Sequence, residues 1–247
     1  MERMTKWLDS LFQQALTGVY IVYQPIVQWS GRRIIGYEAL VRSREPALRH
    51  PGDLLDAAEQ LGRLQELGTL VRTQCTRPLH YAPNDALLFV NLHPTELLDE
   101  ALYAPNSPLA LMANRVVLEI TERAGLDQVR DVEARIAALR AMSFRIALDD
   151  IGAGYSSLLS LVALKPDIVK LDMELVRGVD RDATKREVIG WLVGLCRKLR
   201  SAVVAEGIET SAERDTLVAL GCTLLQGFLF AKPAPPFPTP VFDRTGP

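Results

Sequence analysis

The chain has 247 residues with 28 basic and 30 acidic side chains, a formal net charge of −2, so it carries no basic field that would hold a long nucleic acid by counterion release. That length suits either two small domains or one large α/β barrel of about 250 residues. Cys75, Cys196 and Cys222 are too few and too scattered for a disulfide framework or a zinc knuckle, which fits a reducing, cytoplasmic location.

No apolar run approaches the ~20 residues that span a bilayer, so no membrane span is expected. The N-terminal stretch carries acids and lacks the uncharged core of a secretion signal. Met4, Trp7, Leu8, Leu11, Phe12 and Ala15 recur there at helical spacing, predicting an amphipathic helix over residues 1–18 that packs on its own domain or, as the alternative, serves an interface or membrane surface. Two β-rich runs, 19–27 and 33–41, flank a Ser30-Gly31 turn and read as a hairpin with Glu38 in its second arm. Residues 53–80 carry leucines at helical spacing, broken around Gly62 and Gly68 into one or two helices.

From there strand and helix alternate. Strands are predicted at 86–92, 115–120, 144–150, 167–172, 202–208 and 224–230, and helices most clearly at 129–142, 183–199 and 212–220. Asn91, Glu119, Asp149, Lys170, Glu206 and Gln226 each fall near the end of one of these apolar strands. In a parallel sheet such ends share one side, and a closed barrel gathers them into a ring, whereas an open doubly wound sheet needs functional groups only at a switch point. The expected fold is therefore α/β, a (β/α)8 TIM-type barrel over 19–233, followed by a Pro-rich tail over 234–247.

The adjacent Asp149 and Asp150 end a buried strand, where two anions cost several kcal/mol unless cations neutralise them. They either hold a divalent metal or cap the helix that begins near Ser156. Glu38, Asn91, Glu119, Asp149, Asp150 and Glu206 offer hard oxygen ligands only, a set suited to magnesium, manganese or calcium rather than zinc. A pair of such ions activates water and stabilises both oxygens of an in-line displacement at phosphorus. Lys170 either holds the attacking water or forms a plain ion pair with Asp172 or Glu206. His93, alone in a His-Pro turn, reads as structural.

The order of motifs resembles the EAL family of cyclic di-GMP phosphodiesterases: QPI at 24–26, YEALVR around Glu38, VNL around Asn91, EITE at 119–122, DDIGAGYSSL at 149–158, KLD at 170–172, AEGIET at 205–210 and QGFLFAKP at 226–233. Eight ordered motifs are far more specific than the tripeptide that names the family. The resemblance implies an antiparallel first strand and hydrolysis of cyclic di-GMP to linear pGpG with two Mg2+ or Mn2+ ions, with Ca2+ binding and inhibiting. It implies that Glu38, Asn91, Glu119 and Asp149 bind one ion, that Asp149 bridges to a second completed by Asp150 and Glu206, and that Lys170 sits by the nucleophilic water. Gln24, Leu40 and Arg42 would contact substrate. Gln226, Asp172 and Glu209 would order the site from behind, and Glu122 would hold the loop after the paired aspartates, a loop that members couple to homodimerisation.

The family loop usually reads DDFGTGYSSL, so Ile151 and Ala153 depart from it, as does Ser43 from a frequent tryptophan. None of these is an expected ligand. The alternative function is a catalytically silent cyclic di-GMP receptor or protein-interaction module, but such chains lack metal ligands that are complete here. An aldolase-like Lys170 nucleophile would need a depressed pKa, which surrounding acids oppose.

Overall fold

The computed structural model describes residues 2–121, 126, 129–152 and 157–242. Eight strands close one barrel in sequence order: β1 (Val19–Gln28), β2 (Arg33–Ser43), β3 (Leu87–Leu92), β4 (Val116–Thr121), β5 (Arg145–Ile151), β6 (Ile168–Leu171), β7 (Ala202–Ala205) and β8 (Leu224–Leu225). Strand β1 runs antiparallel to both β2 and β8, and the other neighbours are parallel. This is the TIM-type barrel with a hairpin start that the sequence implied.

Outside the barrel lie α1 (Glu2–Thr17), α2 (Pro51–Gln60), α3 (Leu64–Thr76), α4 (Val132–Ala141), α5 (Ser157–Leu164), α6 (Met173–Val176), α7 (Ala183–Leu199) and α8 (Ser211–Ala219). The long leucine-rich stretch splits in two at Gly62, whose φ of +66° is left-handed and favours glycine. Between β3 and β4 the chain makes three 3-10 turns, Pro94–Leu98, Glu100–Tyr103 and Ala110–Arg115, instead of an α-helix.

Side-chain alternation along the strands sets up the site. Ile26, Phe89, Val117, Ala147, Ile168, Val204 and Leu224 pack together as an apolar plug inside the barrel. Gln24, Asn91, Glu119, Asp149, Lys170, Glu206 and Gln226 each stand two residues from one of them, toward the rim, and a period of two keeps both on the inner face. Glu38 stands two past Gly36, where an added Cβ would lie 2.5 Å from the Leu87 carbonyl oxygen and 2.8 Å from the Phe89 ring. Glycine at that position lets β3 and Phe89 close the plug.

The outer faces of the strands bury a second, larger apolar layer under the helices. Helix α1 docks by Phe12, Ala15 and Leu16 against Val19, Leu54 and Leu67, while Met4 and Trp7 stay exposed. Arg63 tethers it, with its guanidinium 4.8 Å from the Phe12 ring centroid and 2.8 Å from Asp9. The Pro-rich segment follows the barrel wall: Tyr23 and Ala234 exchange backbone hydrogen bonds at 3.0 Å, and the Phe237 ring lies 4.4 Å from that of Tyr23.

Candidate active site

At the end of β5 two consecutive acids face one site, which regular strand alternation forbids. The pairing of β5 with β6 slips between Leu148 and Ile151, and Asp150 takes a φ of +62°. A bulge of this kind with a left-handed residue re-aims one side chain, and such conformations in non-glycine residues cluster at functional sites. Oxygens of Asp149, Asp150 and Glu206 consequently lie within 4.8 Å of one another. The Thr121 hydroxyl donates to Asp150 Oδ2 at 3.2 Å.

Lys170 occupies the middle of the ring. Its Nζ lies 2.6 Å from Glu206, 2.7 Å from Glu119, 3.1 Å from Asp149 and 3.7 Å from Glu38, with the side chain 1% exposed. Asn91 Nδ2 donates to Glu38 Oε1 at 3.0 Å, and Gln226 Nε2 donates to Glu38 Oε2 at 2.5 Å and to Gln24 Oε1 at 3.2 Å. Gln24 in turn donates to the Ala231 carbonyl at 3.1 Å. Glu38, Asn91, Glu119, Asp149, Asp150, Lys170, Glu206, Gln24 and Gln226 therefore meet at one rim.

Four carboxylates around one ammonium leave a formal surplus of three negative charges. Burial raises the Glu119 and Glu206 carboxyls well above the ordinary 4.5, against the pull of Lys170 and with the push of their acidic neighbours. Burial alone would lower Lys170, but Asp149, Glu119, Glu206 and Glu38 carry it well above its ordinary value. Both Glu119 oxygens and Asp149 Oδ1 are buried without a hydrogen bond of regular geometry, although Lys170 is in ion-pair range. Excess negative charge, a buried Glu119 Oε2 with no partner among the described residues, and an all-oxygen donor set fit hard divalent cations.

A pH dependence of stability follows. Acids whose folded pKa is raised bind more protons folded than unfolded, so their contribution is present below about 4.5 and is lost as pH rises through the raised values. Lys170, raised from 10.5, stays charged throughout that window. Cation-free protein is expected to melt higher at pH 5 than at pH 8. Manganese at about 100-fold its Kd is expected to add ~2.7 kcal/mol, roughly 5–10 °C, at pH 8 and much less at pH 5, where protons compete for the ligands. Melts giving equal Mn2+ shifts at both pH values would contradict this.

Two hollows flank the ring and share Glu38 and Leu40. One, of about 300 Å3, lies between the end of β2 and helices α2 and α3, with Arg42, Asn91 and His93 in its wall. The other, of about 250 Å3, reaches across the mouth to Asp172, Met173, Arg177, Glu209 and Phe228. Arg42 also donates to the Val41 carbonyl at 2.8 Å.

Asp172 accepts from the Glu174 N–H at 2.7 Å and caps α6, so Lys170 pairs with Glu206 of the two acids considered. Glu209 pairs with Arg177 on the rim. His93 caps the Pro94–Leu98 turn, in keeping with a structural histidine. Glu122 lies outside the described residues. Arg177, Met173, Phe228 and Thr121 line the site without having been singled out in the sequence. For Arg177 the available signal was its position in the segment just after KLD.

The fold and the ring together define a TIM-type barrel that carries a cluster of acids able to hold a metal ion at the mouth of its strands. The chain belongs to the EAL domain family, whose profile matches residues 9–233. It is 34% identical over 226 residues to the bifunctional diguanylate cyclase/cyclic di-GMP phosphodiesterase MucR of Pseudomonas aeruginosa, covering 86% of this chain and 33% of that protein. The PaMucR phosphodiesterase, solved in complex with c-di-GMP, superposes with a TM-score of 0.80 at 32% identity, over 93% of this chain and 98% of the other. Klebsiella pneumoniae BlrP1, solved with manganese and c-di-GMP at pH 6, gives 0.78 at 31%, over 88% and 56%. The chain spans about a third of the length of MucR and of other curated relatives it matches, and 75% of some shorter ones.

Proposed function

We propose that this chain is a divalent-cation-dependent phosphodiesterase that opens cyclic di-GMP to linear pGpG. The observation that carries the reading is the ring of carboxylates around buried Lys170, with its surplus negative charge. Glu38, Asn91, Glu119, Asp149, Asp150 and Glu206 would hold two ions, Mg2+ or Mn2+. When bound, such ions make water nucleophilic at neutral pH and neutralise charge developing on the phosphodiester.

The chain's own groups supply the rest. Lys170, held charged by its acids, offers N–H donors to the attacking oxygen and to the phosphate. Glu206, at the outer side of the ring, is the acid best placed to accept the proton of that water. Gln226 fixes the second oxygen of Glu38, and Gln24 steadies Gln226 by accepting from the same amide. Arg42 presents a planar fork to a substrate phosphate, and Leu40, shared by both hollows, forms the floor between the two halves of the substrate. Glu209 and Asp172 order the outer wall. Leu158, Leu159 and Val162 of α5 leave an apolar strip exposed, which supports a homodimer. Among the described residues no helix is long and apolar enough to cross a membrane, and we assign a cytoplasmic site of action.

The test is incubation of the purified protein with cyclic di-GMP, with and without Mg2+, Mn2+ or Ca2+, followed by chromatography of the nucleotides. pGpG is expected only with Mg2+ or Mn2+. Stoichiometric binding of cyclic di-GMP without release of product under any metal would replace the enzyme by a receptor.

A further inference from the structure

Asn91 differs from its partners in the ring. Glu119 and Lys170 are each 1% exposed and are fixed by packing, whereas Asn91 is exposed at the end of β3 and bonds Glu38. Its direction depends on the backbone that carries it, and that backbone turns two residues later.

The turn is clamped from behind by charge. Glu96 Oε2 accepts from the His93 N–H at 2.9 Å, and the Glu96 N–H donates to the His93 carbonyl at 2.8 Å. Arg72 of α3 grips the other oxygen of Glu96 with Nη1, while its Nη2 donates to Asp99 at 2.7 Å and to Thr69 at 3.1 Å. The side chains of Arg72, Glu96 and Asp99 are only 8%, 6% and 13% exposed. Position 68 is glycine, and a Cβ there would overlap the Glu96 carboxylate, so α3 leaves space for that one group. Apolar residues of like volume generally stabilise such a place as well as a buried ion pair does. What an apolar pair lacks is an acceptor aimed at the His93 N–H.

We propose that Arg72 and Glu96 are positioning residues that lock the His93 turn and so hold Asn91 toward the cation site. The inference rests on the reading of Asn91 as a cation ligand made above. Outer partners that orient a ligand typically govern 10–100-fold in metal affinity.

Mn2+ binding without substrate, read from the electron paramagnetic resonance signal of free Mn2+, tests it. The Arg72→Met/Glu96→Leu double variant removes both charges together. It is expected to fold, melting somewhat lower because Asp99 loses its Arg72 partner, and to bind Mn2+ about tenfold more weakly. On an Asn91→Ala background the same double change is expected to cost nothing further, because coupled groups are non-additive. Wild-type affinity in the double variant, or the same tenfold loss with and without Asn91, overturns the proposal. If Asn91→Ala itself binds Mn2+ like wild type, it is the ligand role of Asn91 that fails. Should the double variant not fold, Glu96→Ala is compared with Glu96→Gln, which keeps an oxygen for the His93 N–H. Loss in the first and retention in the second is expected, and equal affinities overturn the proposal.

Discussion

Replacing Lys170 by methionine is expected to cut turnover of cyclic di-GMP by about 10²–10³ and to destabilise the cation-free protein by about 3–5 kcal/mol at neutral pH. Methionine is unbranched and of similar length, so little cavity is left and the lost quantity is charge. Lys170 Nζ is the cation of the ring, within 3.7 Å of four carboxylates at 1% exposure. Without it, acids in a low-dielectric site face one another with no counter-charge and must protonate or open the barrel mouth. Divalent cations supply that counter-charge, so Mn2+ is expected to restore stability while turnover stays low. Denaturant unfolding with and without Mn2+, beside steady-state rates, separates the two effects. A variant as stable as wild type without cation would show that the acids are already protonated there, and full turnover would remove Lys170 from the chemistry.

The site was more legible in the sequence than the path of the chain around it. A polar residue near the end of each apolar strand is a pattern of types and spacing, and the barrel converts it into a ring by alternation alone: Val117 inside, Glu119 inside, two residues apart. The ends of strands were harder to read. Runs expected to continue through Ile208 and Phe230 stop at Ala205 and Leu225. Hydrophobicity continues past the sheet because both residues stay buried beyond the named strands, Ile208 by a bond across to the Gln226 carbonyl and Phe230 in a turn onto Gly227. The β5 bulge was invisible for another reason. Two adjacent acids announce a site, but that both face it depends on the left-handed φ of Asp150, which no propensity assigns to aspartate in a strand. Likewise Met4 and Trp7 share a helical stripe with Phe12 and Ala15, yet α2 and α3 cover only the half nearest the barrel. The clamp of Arg72 on Glu96 links side chains 24 residues apart through the gap at Gly68, and spacing carries no trace of it.

Glu38→Ala is expected to reduce turnover by about 10²–10³ or more, comparable with removal of a preorganised charge-stabilising group, while leaving the cation-free barrel at least as stable as wild type. The opposite signs for Lys170 and Glu38 are the distinguishing feature. Truncating Glu38 lowers the surplus of negative charge instead of raising it. The two donors it releases are not stranded: Asn91 is exposed and can turn to water, and Gln226 Nε2 keeps Gln24 Oε1 at 3.2 Å. The same truncation removes a carboxylate that Asn91 and Gln226 both orient, so Mn2+ is expected to raise the melting temperature of this variant by far less than the 5–10 °C set out above for wild type. Melting curves with a Mn2+ titration, alongside product chromatography, read both quantities on one preparation. Wild-type thermal response together with lost turnover would place Glu38 against the substrate and not the cation, whereas wild-type turnover would detach the residue from the reaction. Loss of both, without loss of the fold, is the outcome that a ring built to be neutralised from outside requires.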